Sequence, residues 1–322
     1  MKLLVNASGR AMRALGLVSI ALLSACGGGD PVVPFEPNRV LAFGDENSVL
    51  TADGHKYTVN SLVDTNGVKT LDCSGNAIWL QRLASSYGLV FPQCNPNAVA
   101  DPRSRIYAEP GKKVADLILQ VDQHLATDTF SNKDLVTLLV GQHDILDQYA
   151  QYPAVDQNQL LAATYDAGQA LAAQVSRIAA AGGKVLVSTA PDMGITPFAL
   201  KENVSTGDST RSAFLAALSE NFNRGLRVGI ANESGSQVAI MLTNELMQTM
   251  AKFPSTYGGM SNVTDAVCDP ALAPTVDVCT TDTLVSGGTG STHLWADDTH
   301  LSPNGHVYLG SLASSRTRAN PF

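Results

Sequence analysis

Residues 39–48 read Arg39-Val40-Leu41-Ala42-Phe43-Gly44-Asp45-Glu46-Asn47-Ser48. An apolar run suited to a strand buried on both faces ends in a glycine and two carboxylates. In an α/β protein this puts Asp45 and Glu46 at the carboxyl end of a strand, where open parallel sheets keep their ligands. Gly-Asp after a strand is also an ordinary turn, so the stretch gains meaning only from the segments that meet it.

Three further runs have the same buried-strand character: Asp134 to Val140, Val185 to Ser188, and Gln237 to Leu242. Between them lie helical patterns at Ala77–Tyr87, Lys113–Leu125, Gln157–Ala181, Thr210–Glu233, Asn244–Lys252 and Ser302–Arg316. Gly88 and Gly182-Gly183 stop two of these helices, and Pro303 starts the last. The apolar side of the Lys113–Leu125 segment is Val114, Leu117, Ile118, Val121 and Leu125. Asp53-Gly54, between β-branched and aromatic residues, predicts a hairpin. Strands alternating with helices give βαβ units, so the expected fold is a three-layer α/β/α sandwich on a central parallel sheet. With no internal repeat and no second hydrophobic nucleus, residues 38–322 read as one domain.

The first 25 residues read as a removable export signal: Lys2, Arg10 and Arg13 precede a short apolar run from Ala14 to Leu23. Leu23-Ser24-Ala25-Cys26 resembles the bacterial lipobox, which implies acylation of Cys26. Gly27-Gly28-Gly29-Asp30-Pro31 follows, so residues 26–37 are expected to be a lipidated cysteine and a flexible tether. The expected location is the bacterial periplasm or outer membrane, with the anchor as the membrane partner. Losing a leader with three basic and no acidic residues takes the net charge from −8 to −11, which argues against nucleic acid as a partner. Four cysteines remain, and in an exported chain their order favours Cys73–Cys94 and Cys268–Cys279, although four cysteines allow three connectivities. Neither pair has the close spacing of a zinc site. No glycine-rich phosphate loop or dinucleotide fingerprint appears, so no organic cofactor is expected.

Four segments carry a likeness. They are Phe43-Gly44-Asp45, Tyr107-Ala108-Glu109-Pro110-Gly111, Gly141-Gln142-His143-Asp144, and Asp297-Asp298-Thr299-His300 before Pro303. In that order they resemble the blocks of the SGNH (GDSL) hydrolase superfamily, across nearly the whole mature chain. The resemblance implies a flavodoxin-like α/β/α fold and hydrolysis of a small-molecule or lipid ester. It implies His300 as base, Asp297 as its partner, and oxyanion donors at Gly111, at the backbone N–H of residue 46, and at His143, where the family has asparagine. Acyl transfer needs such a set: a base beside the nucleophile, a group fixing the base's tautomer, and donors placed around the developing oxyanion. Asp298 or Ser302 would cap the last helix. The long loop before Trp295 is expected to form one wall of the site.

The nucleophile departs from the pattern, because the family's serine is Glu46 here. Ser48, two residues on, lies too far along the chain to replace it without a large shift. Three readings stay open. Glu46 acts as general base or carboxylate nucleophile with His300 as acid in an atypical ester hydrolase; or Glu46 pairs with protonated His300 in an inactive binding or scaffold lipoprotein. In the third, Asp45, Glu46, His143, Asp297 and His300 converge on a divalent metal. A two-lobed solute-binding lipoprotein fits poorly, since the strand pattern is continuous.

Overall fold

The computed structural model describes residues 34–231 and 237–319. The expectations for the signal segment, Cys26 and most of the tether fall outside them. In chain order the first elements are β1 (Arg39–Gly44), β2 (Ser61–Thr65), β3 (Val68–Asp72), α1 (Trp79–Ser86), β4 (Arg105–Ile106) and α2 (Val114–Leu125). Next come β5 (Asp134–Leu139), α3 (Gln142–Tyr149), α4 (Gln157–Ala180), β6 (Lys184–Ser188), α5 (Pro197–Thr206) and α6 (Arg211–Gly229). The last are β7 (Val238–Met241), α7 (Thr243–Lys252), β8 (Asn262–Ala266), β9 (His293–Trp295) and α8 (Pro303–Arg318).

The main sheet is parallel throughout, ordered β4-β1-β5-β6-β7, with Leu41 opposite Val136 and Phe43 opposite Leu138. The two-residue period of a strand divides its side chains between two cores. Leu41, Phe43, Val136, Leu138, Val185 and Val187 pack with α2, α3, α4 and α6 on one face. Val40, Ala42, Leu135, Leu139, Leu186 and Met241 pack with α1, α7 and α8 on the other. Strands buried on both faces must read as continuous apolar runs, and these do. The result is the expected three-layer α/β/α fold.

A third apolar cluster joins Val59 to Val267, Ala273, Val276 and Ala296 around the disulfide Cys268–Cys279; the other bridge is Cys73–Cys94. Both pairings are those that the cysteine order favours.

Three sequence expectations are corrected. The segment at Asp53-Gly54 is a tight loop, closed by the Gly54 N–H on the Thr51 carbonyl, and not a hairpin. The hairpin is β2–β3, turning at Asn66-Gly67, where both residues take positive φ (57° and 85°) as a type I′ turn requires. On α2, Ile118 and Leu125 are largely exposed, while Gln120 and His124 are buried with Val114, Leu117 and Val121. Helices α3 and α5 also went unread: α3 starts within the third block, and α5 starts at Pro197 behind a Thr196 cap.

Helices α4 and α6 cross at backbone contact. A Cβ on Gly168 would stand 2.0 Å from the Phe222 carbonyl oxygen, and one on Gly225 2.1 Å from that of Tyr165. This approach fixes the lateral spacing of α4 and α6 within one helical layer.

Candidate active site

Strand β1 ends at Gly44, with φ +132° and the position a Cβ would take only 1.9 Å from the Leu139 carbonyl oxygen. Only glycine fits where the chain turns so close to β5. Beyond the ladder, Gln120 of α2 holds this residue by both backbone groups, accepting from its N–H at 2.8 Å and donating to its carbonyl at 2.9 Å. The buried Gln120 is thus a clamp on the corner. The chain then makes a single 3-10 turn, Glu46–Ser48, capped by the Asp45 carboxylate on the Asn47 N–H.

Glu46 leaves this turn into a ring of donors. Its Oε2 accepts from the Gly111 N–H at 2.9 Å. Its Oε1 accepts from His143 Nε2 at 2.6 Å and His300 Nε2 at 3.1 Å, with the Gln142 amide at 3.5 Å. Its side chain is 4 % exposed, against 26 % for His143, so the carboxylate is shut in while its His143 partner reaches solvent.

Each partner is placed by its own element. Gly111 sits before α2, on a segment whose Tyr107 stacks flat on Phe43 of β1 at 4.9 Å. His143 is in the first turn of α3, which follows β5 through Gly141 at φ +125°. Asp144 next to it accepts from the Val114 N–H at 3.1 Å and so ties the start of α3 to the start of α2. Asp297 accepts from the backbone N–H groups of Thr299 and His300, at 2.9 and 2.7 Å, which folds the Asp-x-x-His segment into a turn. The same carboxylate takes His300 Nδ1 at 2.8 Å. Ser302 caps α8 and also donates to the His293 carbonyl at 2.7 Å.

Both ring nitrogens of His300 therefore face carboxylate oxygens, and each must carry a proton to bond to them. The site is a chain of alternating charge, Asp297, His300 and Glu46, with His143 donating to Glu46 at its end. The neighbouring carboxylates outweigh burial and push His300 up to about 10. The hydrogen bond to Glu46 raises His143 in the same direction, and the two imidazoles hold Glu46 well below the usual carboxylate range despite its burial. Asp45 is pushed up to about 7, chiefly by burial and then by the charge on Glu46.

Stability has a pH consequence. A histidine whose pKa is raised by folding stabilises fully below its ordinary value of 6.5, and that stability is lost as pH rises through the folded value. Unfolding free energy is expected to fall between pH 6.5 and 8, by up to about 1.4 kcal/mol per pH unit for His300, with His143 shifted in the same direction. Above that window the buried Lys56, pushed down to about 8 by desolvation, opposes the trend. Urea titrations at closely spaced pH check this; a profile flat from 6.5 to 8 would show that His300 is neutral in the native state.

Of the residues read from the sequence, Glu46, Gly111, His143, Asp297 and His300 meet in one place. Ser48 does not join them: it is buried, and its hydroxyl makes no hydrogen bond. Asp45 bonds to Asn47 and not to the imidazoles. For a metal, the donor set fits poorly. Both imidazoles close on the carboxylate itself, Asp297 is engaged by His300, and among the described residues no three such side chains are placed to share an ion.

Sequence reading passed over Gln120 and His306. His306 is fully buried, accepts from the Trp79 N–H at 3.4 Å, and is driven down to about 3 by burial, so it stays neutral. Beside the Asp297 end lies a cleft of 390 Å³ walled by Cys268, Pro270, Ala273, Pro274 and Val276 of the disulfide loop. That loop does form a wall, on the side of His300 away from Glu46. A larger cleft of 440 Å³, at Arg82 and the Cys94 loop, is lined by none of the five site residues.

A parallel α/β/α sheet whose strand-end loops bring together a corner residue, a backbone N–H and an Asp-x-x-His pair defines the SGNH class of hydrolases. A family model for GDSL-like lipases and acylhydrolases matches residues 40–313, and the chain belongs to that family. At that level it is a hydrolase-family protein of ester chemistry. No curated protein matches its sequence. Similar solved structures include a lipolytic G-D-S-L family protein from Veillonella parvula, 11 % identical, TM-score 0.43, over 86 % of this chain and 96 % of that one. An acetylxylan esterase from Geobacillus stearothermophilus is 12 % identical, TM-score 0.41, over 89 % and 98 %. A lipase from a goat rumen metagenome is 12 % identical, TM-score 0.48, over 88 % and 99 %.

Proposed function

We propose that this chain is an exported, lipid-anchored GDSL-type protein whose site receives a small-molecule or lipid ester, and that Glu46 closes the site to the acyl-enzyme route. The observation that carries this is the seat of the Glu46 carboxylate, with one oxygen on the Gly111 N–H and the other on His300. These are the donor that a serine hydrolase directs at its substrate's oxyanion and the base that it directs at its serine. Here they are spent on a resident anion. Export and anchoring are supported by the basic and apolar leader ending at Cys26.

The competing reading has Glu46 as general base on water, with His300 as acid. It needs a carboxylate able to take a proton near neutral pH. The two imidazole donors make Glu46 the opposite, a carboxylate hard to protonate. The test is hydrolysis of short-chain aryl esters by the purified chain. Release at the buffer rate is expected. Turnover above that rate that disappears in Glu46→Ala would make Glu46 the catalyst and overturn the proposal.

A further inference from the structure

The cleft of 440 Å³ beside α1 takes no part in the chain from Asp297 to His143, and its chemistry is different. Arg82 is the only charged side chain among the described residues that line it. Its Nε donates to the Ala77 carbonyl at 3.1 Å, while its two Nη groups have no hydrogen-bond or ion-pair partner among the described residues. Burial lowers the guanidinium from its ordinary value, and no charged neighbour offsets that. The stem packs on α8, where a Cβ added to Gly310 would stand 2.8 Å from Arg82 Cβ and 3.0 Å from Cδ. In a chain of net charge −8, this cleft therefore presents a held, half-buried cation without a counterion. Such a charge is unfavourable until something pairs with it.

The other clefts do not share this property. In the cleft at the start of β1, Arg39 is paired with Asp128 and Asp134, Arg103 with Asp101, and Arg105 donates to the Pro102 and Ser104 carbonyls. In the cleft beside Asp297, Lys201 is paired with Asp298. Those cations are answered from within the fold. The Arg82 cleft is also held open from within. Cys94 of the Cys73–Cys94 bridge lines it, and the Gln81 amide donates to the Cys73 carbonyl at 2.9 Å, tying α1 to the opposite wall. A site fixed in this way loses little freedom when a ligand enters.

We infer that this cleft binds a small organic carboxylate, with the carboxylate on the Arg82 guanidinium and an apolar body along Leu89, Val90 and Phe91. The site is separate from the chemistry at Glu46 and does not depend on it. A guanidinium offers two parallel donors that match the two oxygens of a carboxylate. One cation balances one charge, which selects a monoanion over a phosphate dianion. The apolar wall selects against an ion that must stay hydrated all round. Ser85 lies three residues after Arg82 and so on the same face of α1, and its hydroxyl has no partner among the described residues. It supplies a donor beside the guanidinium. The volume falls within the roughly 300–1,000 Å³ usual for small-molecule sites.

The experiment is calorimetric titration of the full chain with sodium benzoate. Benzamide serves as the uncharged isostere, and inorganic phosphate as an anion with no apolar body. Benzoate is expected to bind at least about 10-fold more tightly than either, as a hydrogen-bonded charge pair provides. Arg82→Gln removes the charge and is expected to weaken benzoate by at least about 10-fold. Ser85→Trp, at an exposed position on the edge of the cleft, is expected to block it as strongly without touching the guanidinium. Circular dichroism shows whether each variant is folded, and if Arg82→Gln is not, Ser85→Trp alone locates the ligand. No benzoate binding at millimolar concentration overturns the proposal. So does benzamide or phosphate binding as tightly as benzoate, or benzoate binding unchanged in the folded variants.

Discussion

Glu46→Ser is expected to hydrolyse short-chain aryl esters at least about 10²-fold faster than the native chain. The substitution removes one of the two anions that raise His300 and vacates its Nε2, which becomes available as a base while Asp297 still holds Nδ1 at 2.8 Å. The Gly111 N–H and the His143 imidazole lose their resident acceptor and are free to meet an oxyanion. The gain is bounded by reach. A serine hydroxyl ends two carbons short of the glutamate carboxylate, so the base must come inward by an ångström or more, and about 1 Å of misplacement costs on the order of 10²-fold. Adding His143→Asn, which restores the family's residue at that position, is expected to raise the rate further. The measurement is initial rate against ester concentration for both variants, with circular dichroism to show that each is folded. A folded Glu46→Ser with no gain would show that His300 cannot reach the corner.

Gly44→Ala is expected to cost more than about 4 kcal/mol, enough to leave little folded protein from a typical total of about 5–15 kcal/mol. The new methyl would sit 1.9 Å from the Leu139 oxygen at a φ of +132°, so neither rotation nor a flexible neighbour relieves the clash. Relief would require β1 to part from β5 at Phe43 and Gly44, where the ladder is buried on both sides. Gln120→Ala is the milder companion. It leaves the ladder intact but strands the buried Gly44 N–H, a loss of about 1–3 kcal/mol when no water replaces the amide, and leaves the Gly44 carbonyl with the Glu109 N–H alone. Thermal melts of both variants check this. A Gly44→Ala protein melting within a few degrees of the native chain would contradict the close approach.

The sequence made much of this legible, for identifiable reasons. Strands β1, β5, β6 and β7 were readable because a doubly covered strand cannot hide its composition. Asp297 and His300 were readable because three residues of spacing fold into one turn, whatever surrounds them. The β2–β3 hairpin was equally open to reading: Asn66-Gly67 lies between Thr65 and Val68, a stronger turn signal than Asp53-Gly54. Gln120 was not readable. A glutamine on the apolar side of a helix looks like an imperfect pattern until Gly44 is seen to need both halves of its amide. The closed charge chain was likewise out of reach, because the sequence brings Glu46 near His300 without saying how many protons lie between them.

The short turn after Gly44 has a bearing on evolution that its geometry alone does not advertise. Asp45 caps that turn through its own carboxylate, and the Glu46 side chain makes no contribution to the cap. The cap of this turn therefore does not depend on the side chain that follows Asp45. What position 46 must satisfy instead is the ring of donors from Gly111, His143 and His300, so a lineage that changes the residue there keeps the turn and answers for the donors.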